Sequence, residues 1–161
     1  MENYDIAEQI LRLMVAKGRT LSTAESCTSG RIAACLTQVS GASDYFQGGL
    51  VAYQDELKEK FLGVSPLDIA RYDVVSRPVV EQMVKGACAL FHSDYALAST
   101  GYAGTGANGI PSGTIWIGWG SAHVVHSMCL TLDEGREANT ANATREVLCQ
   151  FLRYIASQDA L

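Results

Sequence analysis

The sequence predicts an α/β fold in three layers (α/β/α), with a mixed sheet between helices, on three observations. Segments with helical apolar spacing interleave with short strand-like segments. Two late strand-like segments joined by a tight turn add an antiparallel hairpin, so the sheet is not all parallel. The length of 161 residues fits one domain that can bury a core, and no linker, repeat or low-complexity tract divides it. Residues 1–161 are therefore read as a single domain.

Taken in order, Ile6, Ile10, Leu13 and Met14 recur at helical spacing and Gly18 supplies the stop. Residues 20–23 form a short strand running into AESCTSG (residues 24–30). Ile32, Ala33, Cys35 and Leu36 carry a helix closing near Gln38, and VSGAS (residues 39–43) is a turn-rich connector. GGLVAYQ (residues 48–54) reads as a strand, after which Asp55 caps a short helix, ELKEKFLG, that stops at Gly63. Ser76 caps the next helix, with Pro78 tolerated in its first turn. Val80, Met83, Val84, Ala87, Cys88 and Phe91 form that helix's apolar stripe. DYALAST (residues 94–100) is strand-like and leads into the glycine-rich loop GYAGTGANGIPSG. TIWIGWG and HVVHSMCL are two strands about a Gly120-Ser121 turn, and a last helix shows Leu148, Phe151, Leu152 and Ile155 on one face.

Composition excludes several classes. A hydrophobic fraction of 48% with 18% charged residues describes a soluble globular protein. The net charge of −5 argues against a nucleic-acid partner, which needs clustered Lys and Arg. Five scattered cysteines without a C-x-x-C pair favour reduced thiols and a cytoplasmic location. MENYDIAEQILRLMVAKG is acidic and amphipathic, unlike a signal or transit peptide. No apolar run approaches the ~18 residues of a membrane span.

Several chemical readings compete. Gly104-x-Gly106-x-x-Gly109 spells a dinucleotide fingerprint, but a Rossmann loop opens a helix and this one runs through Pro111 into a strand. It is either a flexible loop or one whose backbone N–H groups approach a ligand. His123 and His126 fall on opposite faces of a strand, and His92 sits near a helix end, so no metal site is expected. No histidine lies in a site-like segment and G-x-S-x-G is missing, which weakens a Ser-His-Asp triad without excluding one. Cys27 is an alternative nucleophile to Ser26, or buried packing. In VAYQDELK, Lys58 falls in the first turn of a helix, where the dipole disfavours a cation. It is either a solvated surface residue or a lysine whose depressed pKa makes a neutral base, with Tyr53 beside it to relay a proton.

Together these segments resemble the nicotinamide-nucleotide amidase family, the C-terminal domain of CinA proteins. That family reads A-E-S-C-T-G-G, V-T-Y-S-N-E-A-K, G-A-V-S, T-G-x-A-G-P, P-V-G-T-V and G-D-R. This chain has AESCTSG, VAYQDELK, YDVVS, STGYAGTG, IPSGTIW and EGR in the same order, over nearly its whole length. The resemblance implies a metal-independent, cofactor-free amidohydrolase that converts nicotinamide mononucleotide to nicotinate mononucleotide and ammonia, and a homo-oligomer. It implies Ser26 as nucleophile, Tyr53 and Lys58 as its partners, Thr100 and Ser43 as substrate contacts and Arg136 on the phosphate. Backbone N–H groups of the Ser26 turn or of the Gly101 loop would stabilise the oxyanion.

The chain departs from that pattern at Ser29, which stands for a glycine and crowds the turn if that position needs φ > 0. Thr105, Ile110 and Ser112 alter the glycine loop, Gly135 replaces the aspartate of G-D-R, and Thr140 stands where a second arginine often occurs. Two other readings stay open: a non-catalytic pyridine-nucleotide-binding module of the same fold, and an amidase for another small carboxamide.

Overall fold

The computed structural model describes residues 1–158. Its five strands are β1 (Leu21–Glu25), β2 (Phe46–Val51), β3 (Tyr95–Tyr102), β4 (Thr114–Gly120) and β5 (Val125–Leu130), in the order β2-β1-β3-β4-β5. β2, β1 and β3 are parallel, while β4 and β5 pair antiparallel, so the sheet is mixed as expected. The helices are α1 (Asn3–Lys17), α2 (Arg31–Thr37), α3 (Asp55–Leu62), α4 (Pro66–Tyr72), α5 (Arg77–Phe91) and α6 (Arg136–Gln158). No described helix is long and apolar enough to cross a membrane.

Alternation along the strands sorts the core into two layers. Leu97, Ile115 and Ile117 face α1, α2 and α6, packing with Ile10, Met14, Leu36, Val147 and Phe151. Ala96 and Ala98 face the other way, where Val80, Met83, Val84 and Ala87 of α5 cover them beside Leu62 of α3. The small residues on this second face let α5 lie close. A Cβ on Gly118 would sit 3.0 Å from Val84 Cγ2.

Two local expectations are corrected, and one helix is added that the sequence did not suggest. Asp55 is the first helical residue of α3 and Gln54 is its N-cap, so the Asp55 carboxylate is free to pair with Lys58 instead. The β4–β5 connection is a four-residue turn, 121–124, rather than Gly120-Ser121: Ser121 N donates to Val124 O at 2.9 Å, and Ser121 Oγ accepts from His123 N and Val124 N. His123 therefore lies in the turn, not on the strand with His126. Finally, α4 buries no residue and so shows no apolar stripe in the sequence. Its start is set locally by Ser65, whose hydroxyl accepts from Asp68 N, and by Pro66 at the first position.

The connections fix where a ligand can go. β1 leads through α2 to β2 on one side, while β3 lies on its other side, so the chain switches direction at β1. Open α/β sheets bind ligands beyond the carboxyl ends of the strands at such a switch. Here that crevice lies between the segments following β1, β2 and β3.

Gly86 marks the closest approach of α5 to α3, because a Cβ there would collide with the carbonyl of Leu62. Gly86→Ala should push α3 away and cost about 1–3 kcal/mol. The expected result is a lower Tm in thermal unfolding.

Candidate active site

The turn after β1 is built on Glu25. Its side chain is buried, and Oε1 accepts from Thr28 Oγ1 (2.6 Å), Gly30 N (3.1 Å) and Ile32 N (3.0 Å). Oε2 accepts from Ala33 N at 3.0 Å. The carboxylate thus takes up orphan donors at the start of α2, where the helix dipole favours an anion. Reversing from strand to helix in so few residues needs left-handed backbone, with φ of 51° at Ser29 and 93° at Gly30. The crowded position expected at Ser29 is therefore real, and the exposed serine bears it with its hydroxyl turned back to Ser26 O.

A second clamp comes from β3. Ser26 N donates to Ser99 O (3.1 Å) and to Ser99 Oγ (3.3 Å), and the hydroxyls of Ser99 and Thr28 lie 2.7 Å apart. The Ser26 main chain is held from both sides, while its own hydroxyl makes no hydrogen bond among the described residues. With the Ser26 N–H engaged and the Gly30 N–H on Glu25, the N–H groups of this turn without an acceptor elsewhere among the described residues are those of Cys27 and Thr28.

Ser26 is 7% exposed and opens onto a pocket of ≈ 200 Å³. Tyr53, Lys58, Thr100, Gly101 and Arg136 line the same pocket, so six of the seven residues singled out in the sequence come together. Ser43 does not. It is exposed in a 3-10 turn (Ala42–Asp44) ahead of β2, at the opposite end of the parallel strands.

Lys58 is 1% exposed, which decides against the solvated-surface reading. Its Nζ donates to the main-chain carbonyl of Tyr53 at 3.2 Å and stands 3.8 Å from Asp55 Oδ1. Burial holds the ammonium below its usual 10.5, and Asp55 pulls the other way without cancelling the shift. Asp55 is half exposed, so solvent screens its charge. Tyr53 meets Lys58 through its carbonyl, and its ring is 55% exposed at the pocket edge.

The remaining lining residues are committed in defined ways. Thr100 Oγ1 donates to Val74 O at 3.0 Å, which leaves its lone pairs as acceptors. Gly101 has no room for a side chain, since a Cβ would press into Ile115 of β4. Arg136 opens α6 and lies on Gly104, where a Cβ would stand 2.7 Å from its Nε. Asn139 fixes that approach by donating to Ala103 O at 2.7 Å. Among the described residues the Arg136 guanidinium makes no ion pair, neither with Glu134 nor with Glu137. Burial pushes the Cys27 thiol up to about 11, so it is protonated and weakly nucleophilic at neutral pH. No three of the described His, Cys, Asp and Glu residues converge as metal ligands.

Sequence reasoning missed Glu25, Asp55 and Ser99. Glu25 carries a faint signal, an acid placed shortly before a helix start. Ser99 meets Thr28 only through the β1–β3 pairing.

Comparison with known proteins is consistent with this geometry. The pattern of the CinA C-terminal domain matches residues 3–155. The chain belongs to the CinA C-terminal domain family. It is 35% identical over 159 residues to the nicotinamide-nucleotide amidohydrolase PncC of Escherichia coli, covering 94% of this chain and 96% of that protein. It is also 43% identical to a CinA-like protein of Shewanella pealeana, of whose length it spans 36%. A CinA superfamily crystal structure from Klebsiella pneumoniae superposes with a TM-score of 0.93 at 30% identity, covering 98% of this chain and 99% of that one. The competence/damage-inducible protein of Agrobacterium tumefaciens superposes with a TM-score of 0.89 at 30% identity, covering 96% of this chain and 95% of that one.

Lys58 yields a stability prediction with a definite sign. Its pKa is lower folded than unfolded, so below the folded value the buried ammonium opposes folding. That opposition fades as pH rises from the folded value toward the usual 10.5. Lys58→Met should therefore raise Tm at pH 7, and the gap from wild type should narrow at alkaline pH in parallel melts.

Proposed function

We propose that this chain hydrolyses the carboxamide of nicotinamide mononucleotide to nicotinate mononucleotide and ammonia, with Ser26 as nucleophile. The observation that carries the reading is the free Ser26 hydroxyl on a pocket shared with the buried Lys58, whose pKa burial holds below its usual value. The similarity over nearly full length to a nicotinamide-nucleotide amidohydrolase supplies the substrate class.

In this scheme Ser26 Oγ attacks the carboxamide carbon while neutral Lys58 takes the hydroxyl proton. The N–H group of Cys27, which lines the pocket beside Ser26, would face the developing oxyanion. Collapse expels the amide nitrogen, which leaves as ammonia after receiving the proton from Lys58. Water then attacks the Ser26 ester, again with Lys58 as base, and releases the carboxylate and the free serine. Thr100, whose hydrogen is already donated to Val74, accepts from the carboxamide N–H. Gly101 keeps that wall of the pocket flat, and the Tyr53 ring offers an apolar face to the cationic pyridine. Arg136 takes the phosphate by paired hydrogen bonds.

Ser43 enters the scheme only through a second copy of the chain, since within its own chain it sits at the far end of the sheet. A homo-oligomer, part of this proposal, would supply that second copy. The five free cysteines suit a cytoplasmic site of action.

Ammonia release from nicotinamide mononucleotide tests the reading. Wild type and Cys27→Ala should both turn over, Ser26→Ala and Lys58→Met should not, and EDTA should have no effect. Activity should rise with pH as Lys58 loses its proton. Tight binding without ammonia would make the chain a binding module, and turnover of other carboxamides alone would replace the substrate.

The phosphate contact has its own test. One charge-assisted pair contributes roughly 1.5–3 kcal/mol, so the mononucleotide should exceed nicotinamide riboside in kcat/KM by about ten- to a hundred-fold. Arg136→Ala should shrink that preference mainly through KM. An unchanged ratio would place the phosphate elsewhere.

A further inference from the structure

The corner between α4 and α5 carries a residue that the catalytic scheme does not use. Asp73 has φ 76° and ψ 157°, backbone that favours glycine. A side chain is tolerated because its carboxylate is fully engaged. Oδ2 accepts from Val75 N at 2.9 Å and from Tyr102 Oη at 2.8 Å, and Oδ1 accepts from Asn108 Nδ2 at 2.9 Å. Three segments meet on this one group: the corner itself, the end of β3 and the tip of the glycine loop. Asn108 presents its amide from a left-handed backbone of its own, φ 56°. Burial and the Asp73 carboxylate push the Tyr102 phenol up to about 12, so it stays a donor throughout the neutral range.

The position of this junction gives it consequence. Val74, Tyr102 and Asp55 line the reaction pocket on one side. On the other they line a larger open hollow of ≈ 670 Å³, to which Asp73 and Asn108 also contribute. The wall between the two spaces is therefore as rigid as the Asp73 junction that ties it together. Thr105, at the pocket mouth, belongs to the same loop as Asn108.

We propose that Asp73 is a positioning residue: its carboxylate clasps the glycine loop at Asn108 to the β3 end at Tyr102 and so fixes the pocket wall that receives the substrate. The clasp acts on substrate fit and not on bond breaking, because Asp73 does not reach the pocket that holds Ser26. This rests on the amidohydrolase reading for its substrate but not for the clasp itself.

The test is a reciprocal exchange of the Asp73 and Asn108 side chains. Asp73→Ala takes away the acceptor for Asn108, and Asn108→Asp sets two carboxylates against each other. The double variant Asp73→Asn with Asn108→Asp restores one donor facing one acceptor. Hydrogen exchange of amides 103–113 in the unliganded protein should quicken by roughly tenfold in each single variant and return to near wild type in the double. KM for nicotinamide mononucleotide should rise several-fold in each single variant and recover in the double, with kcat changed by less than about twofold. Unchanged exchange in both single variants, or a double variant no better than either, would overturn the clasp. Faster exchange with unchanged KM would overturn its role in substrate fit. A wild type that releases no ammonia would defeat the amidohydrolase reading alone, and the exchange measurements would still decide the clasp.

Discussion

A buried carboxylate needs donors, and at Glu25 the only way to supply them is to bring the start of α2 down onto the end of β1. The chain between them has no freedom left once Thr28, Gly30, Ile32 and Ala33 all point at one side chain. That requirement produces the left-handed Ser29-Gly30 pair and leaves Ser26 at the apex with its hydroxyl uncommitted. The β3 clamp through Ser99 then sets the turn against the neighbouring strand. Removing either anchor leaves buried groups unsatisfied, so the Ser26 turn is stiff because of what surrounds it.

The same low-polarity setting shapes Lys58. An ammonium that is almost completely buried is held by one carbonyl and one half-exposed carboxylate, which is too little to restore its ordinary proton affinity. Stability is given up at this residue, and the amine in the pocket of Ser26 loses its proton more readily than a solvated lysine would. The overall charge of −5 disfavours an anionic ligand, and Arg136, which makes no ion pair among the described residues, puts a local positive charge at the pocket. Gly104 lets that guanidinium approach, and Asn139 holds the start of its helix to the loop.

Much of this was legible in the chain. The helices α1, α5 and α6 write their buried faces into apolar periodicity, and the mixed sheet follows from the late hairpin. α4 could not be read that way because it buries nothing, and the hairpin turn hid its length because Ser121 does the work usually given to a glycine pair. At the site, the first-turn lysine and the AESCTSG turn drew attention by local chemistry alone. The partners Ser99 and Asp73 were silent, since their contacts with Thr28 and Asn108 arise only when distant segments pack. Ser43 was placed with the others by motif order, yet sequence order says nothing about which end of a sheet a turn occupies.

The central claim is that this turn presents Ser26, and not Cys27, as the attacking group. Acid-quenching the reaction with nicotinamide mononucleotide during the first turnovers, followed by peptide mass spectrometry, tests it directly. The account predicts a nicotinate-mononucleotide acyl ester on Ser26. An adduct on Cys27 would contradict it.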